Sequence, residues 1–278
     1  MPRIQLRDVD THYQQTGAGP DVILIHAFTS NLSVWMMTGI TEALSDYRVT
    51  MYDLRGHGAS SVPSTHYTSA DMSDDLFQLM DALGIDSAYL VGHSYGGVIG
   101  MHAASLAPQR VGGVILSDTY FPGLRELEPD MGQADVWQEL RDTLRKANVE
   151  VGDQVDFARL FRVVRDFDAE QLAVVKRELG PAGARWLSQV GQMADSTAGT
   201  EMFEEAGLTA DRIAAVTTPV VALYDEFSPF DATSGFLRDR LADCVTDMVP
   251  KAKHLAPVQN PADLVRLIKT HLDRWSGR

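Results

Sequence analysis

The chain is poor in cysteine, in basic residues and in long apolar runs, and each shortage excludes something. A single cysteine, Cys244, rules out any disulfide within the chain, and no Cys/His cluster has metal-ligand spacing. Lys and Arg number 24 against 38 Asp and Glu, a formal net charge of −14, and the basic residues are scattered. Such a surface repels phosphate backbones, so nucleic acid is not an expected partner. No apolar run approaches the length that spans a bilayer, so no membrane partner is expected either. The opening MPRIQLRDVDTHY places charges where a secretory signal needs its apolar segment, which predicts a cytoplasmic protein.

What remains is the balance of an ordinary soluble globule. The 278 residues are 45% apolar and 22% charged, enough to bury a sizeable core in one large domain or in a domain with an insertion. Residues 3–15 read as a hairpin closed off by TGAGP. DVILIHAF (21–28) is a nearly continuous apolar run, the mark of a strand covered on both faces, and RVTMYDLRG reads as the next strand. Leu76, Leu79, Met80 and Leu83 repeat at helical spacing. SAYLVGHS (87–94) returns to strand, GGVIGMHAASLA is helical and VGGVILSD (111–118) is strand again. Such alternation predicts an α/β fold whose mostly parallel sheet carries helices on both faces.

From Phe121 to about Leu208 the alternation stops and only helical periodicity is left, as in Phe157, Leu160, Phe161 and Val164. Gly180-Pro181 and STAGT (196–200) interrupt those helices. The alternation resumes with PVVALYDEF, a helix over 231–241, CVTDMVP, and a last helix that opens on Asn260-Pro261. The expected organisation is one core, 1–120 and 209–278, interrupted by an all-helical insertion at 121–208.

The chemistry concentrates on Gly92-His93-Ser94-Tyr95-Gly96, a G-x-S-x-G where a strand ends and a helix begins. Its glycines permit the strained turn that exposes a serine hydroxyl at the top of a sheet; the bland alternative is a glycine-rich turn with an incidental serine. Strand before and helix after favour the nucleophile. A serine needs a base. His254 lies on a loop after the last strand, at the same carboxyl edge, and completes the chain order Ser…acid…His. His12 falls in the hairpin, His102 and His271 within helices, and His93 at the variable position of the motif, where it packs. His26 and His57 lie on loops near the site and fit backbone-supporting roles.

Four pieces together carry a resemblance: His26-Ala27-Phe28-Thr29-Ser30, Asp53 to Ser60 (DLRGHGAS), Gly92 to Gly97, and His254-Leu255-Ala256-Pro257. In their types and order the chain is similar to lid-bearing α/β-hydrolases, a group that includes 3-oxoadipate enol-lactonases, meta-cleavage product hydrolases, haloalkane dehalogenases and many small esterases. The insertion matches by position and helical character alone. The resemblance implies an eight-stranded sheet, a serine nucleophile, a helical lid and no cofactor. Haloalkane dehalogenases carry Asp where this chain has Ser94, which sets dehalogenation aside, and epoxide hydrolysis with it.

Two departures matter. The family usually has His-Gly after its third strand, and this chain has His26-Ala27. The resemblance assigns the oxyanion donors to the backbone N–H groups of Phe28 and Tyr95, and a methyl at Ala27 removes neither. In the family the strand over 219–227 usually runs on through a glycine to the triad acid. Here Asp225 stands at the glycine position and Ser228 at the acid position, and a hydroxyl cannot balance an imidazolium. Some relatives carry the acid at the end of the preceding strand, where this chain has Asp118. Asp118 is therefore the expected acid, with Glu226 as runner-up and Asp225 third. Asp53 to Ser60 is expected to shape a loop, Cys244 to be structural, and Trp137 or Trp186 to join Phe, Leu and Val side chains around an apolar pocket.

The expected function is cleavage of an ester, thioester, lactone or activated C–C bond in a small, partly apolar molecule. Two other readings stay open. One is a lyase, cyclase or cofactor-free oxygenase that uses His254 as base; the other is a catalytically silent ligand receptor. The sequence also leaves a homodimer open.

Overall fold

Eight strands form one sheet in the order β1-β2-β4-β3-β5-β6-β7-β8. They are β1 (Arg3–Gln5), β2 (Asp10–Thr16), β3 (Asp21–Ile25), β4 (Arg48–Tyr52), β5 (Ala88–His93), β6 (Val111–Ser117), β7 (Val220–Asp225) and β8 (Cys244–Val249). Only the β1–β2 and β2–β4 pairs are antiparallel. From β4 to β8 every neighbour is parallel. The computed structural model describes residues 2–129, 135–154 and 156–278.

The period-two alternation of strand side chains separates the core into two clusters, one on each face of the sheet. Ile23, Leu90, Val114, Leu116, Val220 and Ala222 point to one face. Val22, Leu24, Val91, Ile115, Val221 and Leu223 point to the other. Both faces must be covered, which explains why β3 and β7 read as unbroken apolar runs.

The first face is covered by α3 (Ser69–Ala82) and α4 (Tyr95–Leu106), which follow α1 (Ser33–Met37) and α2 (Ile40–Ala43) in the chain. The α3 stripe Leu76, Leu79 and Met80 is fully buried against it. Burial of each such side chain contributes about 1.5–3 kcal/mol. Thr68 and Asp71 close a reciprocal capping box at the start of α3, so its first orphan N–H groups are satisfied.

Between β6 and β7 the elements of the described residues are all helical. A 3₁₀ turn at Pro122–Leu127 is followed by α5 (Asp135–Lys146), α6 (Phe157–Arg165), α7 (Ala169–Gly191), α8 (Ala198–Glu201) and α9 (Ala210–Ala214). Gly180 takes φ 72° and ψ 177° and kinks α7 there. Residues 130–134 and 155, which belong to the segment expected to be helical, lie outside the described residues.

The second face takes α12 (Pro261–Ser276), reached through α10 (Asp231–Arg240) and α11 (Ala256–Gln259). Asn260 caps α12 through the Asp263 N–H, with Pro261 at the first helical position. Leu264, Val265, Leu267, Ile268 and Leu272 bury its apolar stripe. No helix of the described residues is long and apolar enough to cross a membrane.

The chain passes from β3 to β4 on one side and returns to β5 on the other. Such a reversal opens a crevice beyond the carboxyl ends of the two central strands, where ligands of open α/β sheets bind. The loop starting at His26 leaves β3 there, and Ser94 leaves β5 beside it.

Candidate active site

Ser94 sits between β5 and α4 with φ 51° and ψ −119°, a conformation that L-residues rarely adopt. Strain of this kind costs about 1–3 kcal/mol and persists only where the surroundings hold it. Here the Ser94 N–H donates to the Ser117 carbonyl at 2.8 Å and the Ser94 carbonyl accepts from the Gly97 N–H at 2.9 Å. The flanking glycines are required by close approach. A Cβ at Gly96 would stand 2.3 Å from the Ile25 carbonyl oxygen, and one at Gly92 would stand 2.3 Å from the Gly96 carbonyl.

His254 lies on the loop between β8 and α11, with φ 62°. Its Nδ1 donates to Asp118 Oδ2 at 2.7 Å. Asp118 follows β6, is fully buried, and accepts the Asp225 N–H on Oδ1 at 3.1 Å. A proton held on Nδ1 leaves Nε2 as the acceptor, the tautomer a base for Ser94 needs. Ser94 and His254 line the same cavity.

The rival acids point elsewhere. Glu226 is exposed, and its Oε2 accepts the Lys251 N–H at 2.8 Å. Ser228 Oγ accepts the Phe230 N–H at 3.0 Å and serves the turn into α10. The Asp225 carboxylate does not touch His254; Oδ2 accepts the Ala256 N–H at 3.2 Å and holds the start of α11.

Tyr95 is the first residue of α4, so its N–H has no acceptor inside the helix and carries the positive end of the helix dipole. Phe28 stands opposite, its ring edge-on to Tyr95 with centroids 5.8 Å apart. Two buried histidines brace the loop that carries it. His26 Nδ1 donates to the Ala27 carbonyl at 2.8 Å and Nε2 accepts the Leu54 N–H at 3.0 Å. His57 Nδ1 donates to the Arg55 carbonyl at 2.7 Å and Nε2 accepts the Thr29 N–H at 2.9 Å. Burial lowers the pKa of both, that of His57 to about 3 with His26 adding to the effect, so both stay neutral. Asp53 joins this brace by accepting the N–H groups of Leu32 and Ala59. Cys244 opens β8, and burial pushes its thiol up to about 11, away from reactivity.

Two contacts on His254 escape the sequence. His93 packs as expected, and its Nε2 also donates to the His254 carbonyl at 2.8 Å. Burial, then the neighbouring His254, push His93 down to about 4, so the ring stays neutral and fixes the His254 backbone. The Phe230 ring meets the His254 ring edge-on at 5.3 Å. Asp225 is buried, with Oδ1 unpartnered. No motif announces the His93 and Phe230 contacts, because each joins segments distant in the chain.

Burial, reinforced by Asp118, pushes the Asp225 carboxyl from an ordinary 3.8 up to about 7. The folded state therefore binds this proton more tightly than the unfolded chain does, and stability from this group is lost as pH rises from about 4 to about 7. Asp225→Asn removes that titration and leaves an amide oxygen to accept the Ala256 N–H. Urea unfolding at several pH values is expected to show wild type losing stability relative to the variant across this window; parallel curves would contradict it.

Ser94 and His254 open onto a cavity of about 1570 Å³. Its walls include Trp137, Leu140, Phe157, Trp186, Phe203 and Phe230, so both tryptophans singled out in the sequence lie on it. Among the described residues no group of three or more His, Cys, Asp or Glu is placed to hold a metal ion.

The chain belongs to the α/β-hydrolase-fold family, whose model matches residues 20–176. It is 31% identical over 154 residues to an epoxide hydrolase from Caballeronia sordidicola, a match covering 55% of this chain and 45% of that one. It is 27% identical over 252 residues to a candidate non-heme chloroperoxidase from Synechocystis sp., covering 88% of both chains. With the first of these, as with several other curated relatives, the match spans half or less of the relative's length. Among solved structures, a thermophilic esterase from Thermogutta terrifontis superposes with a TM-score of 0.71 at 22% identity, covering 99% of each chain. At that identity the likeness shows the fold.

Proposed function

We propose that the protein is a serine hydrolase cleaving an ester, thioester, lactone or activated C–C bond of a partly apolar substrate through Ser94, His254 and Asp118. The observation that carries the reading is the 2.7 Å bond from His254 Nδ1 to the buried Asp118, beside a serine held in the strained turn of an elbow. Membership of a family with hydrolase-named relatives supports it. Ser94 directs the reading toward acyl transfer rather than epoxide opening.

In the first half-reaction Ser94 Oγ attacks the carbonyl carbon and its proton passes to His254 Nε2. The Phe28 and Tyr95 N–H groups stabilise the oxyanion, and Asp118 stabilises the imidazolium. His254 returns the proton to the leaving group as the bond to carbon breaks, leaving acyl-Ser94. Water then attacks the acyl carbon, loses a proton to His254, and the acid departs as Ser94 is reprotonated. The sequence balances without a cofactor. In this reading 121–208 act as a lid over the core formed by 1–120 and 209–278, and its aromatic side chains exclude bulk water from the acyl-enzyme.

The test combines covalent labelling with isotope incorporation. A fluorophosphonate probe is expected to modify one residue, Ser94, seen by peptide mass spectrometry. Turnover of an ester series in ¹⁸O water is expected to place one heavy oxygen in each released acid. No labelling together with no turnover favours a silent receptor. Product without heavy oxygen favours the non-hydrolytic use of His254.

A further inference from the structure

Large apolar side chains are costly to leave in water, and scattered ones need no explanation, but a contiguous set marks a binding surface. Eleven large hydrophobic residues are exposed among the described residues, and six of them line the cavity that holds Ser94 and His254. Five of these six belong to the sheet-bearing core. Met36 and Met37, 46% and 73% exposed, lie on α1; Leu255 and Val258, 38% and 60%, follow His254; Phe227, 60%, follows β7. Helices α1 and α11 pack together, so the methionines and the residues after His254 form one rim. The rim continues the apolar walls that Phe157, Trp186 and Phe230 provide deeper in.

We infer that this rim belongs to the substrate site and holds an extended hydrocarbon chain whose carbonyl end lies at Ser94, so that the substrates are medium- to long-chain acyl compounds. The inference rests on the serine-hydrolase reading for the carbonyl and on the rim for the chain. At about 1570 Å³ the cavity exceeds the roughly 300–1,000 Å³ that encloses a compact ligand. Apolar side chains line this cavity both beside the nucleophile and at its exposed rim, which matches one long, flexible, uncharged group. Methionine suits such a wall, because its unbranched thioether adapts to chains of different length. A net charge of −14 disfavours docking of the rim on an anionic lipid surface.

The experiment measures kcat/KM for p-nitrophenyl esters from two to twelve carbons, below their micellar concentrations, with wild type and the double variant M37S/V258S. Each added methylene buried on the rim is expected to raise wild-type kcat/KM about fourfold until the apolar lining ends. In the double variant the ratio of ten-carbon to two-carbon kcat/KM is expected to fall at least about tenfold, a ratio that cancels any loss of folded enzyme. Decanoic acid binding to Ser94→Ala, followed by calorimetry, is expected to weaken when the two rim changes are added, and it decides the matter even if no ester is turned over. A wild-type optimum at two to four carbons with Ser94 labelled overturns the chain site and leaves the hydrolase reading standing. No labelling, with decanoic acid bound through the rim, overturns the hydrolase reading and keeps the chain site. Rim-dependent cosedimentation with phosphatidylcholine vesicles, or a dimer that M37S/V258S dissociates, with no dependence on chain length, would assign the rim to a lipid surface or a second copy instead.

Discussion

Ser94→Ala is expected to reduce kcat by about six powers of ten, the scale on which loss of the nucleophile acts in a serine protease. The two histidines nearest the turn are already engaged, His254 through Nδ1 with Asp118 and His93 with the His254 carbonyl. The fold should survive, because alanine also carries a Cβ at φ 51° and the Ser94 N–H and carbonyl bonds are made by the backbone. A melting temperature within a few degrees of wild type would show that only chemistry was lost. Near-native turnover by a well-folded variant would end the acyl-enzyme mechanism.

Asp118→Asn is expected to cost about three to four powers of ten in kcat, as the equivalent loss of charge does in a serine-protease triad. An amide can offer its N–H₂ to His254 Nδ1. That turns the imidazole to the wrong tautomer, with its proton on Nε2 facing the serine. The amide also carries no charge to set against the imidazolium. Glu226→Gln should change kcat by less than about twofold, because Glu226 is exposed and a glutamine oxygen can still accept the Lys251 N–H. Comparing both variants at saturating substrate separates the two carboxylates: a large effect at Glu226 and a small one at Asp118 would reverse the assignment. Comparable KM values in Asp118→Asn would show that the loss lies in chemistry and not in binding.

Local pattern made much of this legible from the sequence. A strand buried on both faces must be apolar throughout, so DVILI and VVALYD declare themselves, and both are buried central strands of the parallel sheet. The stripe Leu76, Leu79 and Met80 can be buried only as a helix, and α3 buries it. Gly92 and Gly96 mark a turn that no larger side chain permits, and Ser94 is found at φ 51° between them. Each of these signals lies within a dozen residues, where spacing and sterics decide the outcome.

The partner of His254 could be ranked from the sequence, with Asp118 first, but local pattern does not single it out. Asp118, Asp225 and Glu226 all lie where strands end at the same edge of the sheet, and sequence separation does not report where a carboxylate points. The parallel register decides it. Asp118 donates its N–H to the Leu223 carbonyl and, with φ 47°, turns its side chain toward the His254 loop, while Asp225 is drawn to Ala256 and Glu226 to Lys251. His93, Phe230 and the exposed rim became visible for the same reason, since each depends on loops from different strands meeting above one crevice. The strands, the helices and the serine turn are written in the chain's local pattern, because they follow from steric and solvation demands between near neighbours. Which acid meets the histidine, and which apolar residues stay in water around the cavity, is set by the folded arrangement, because the Asp118–His254 bond spans 2.7 Å between residues 136 positions apart.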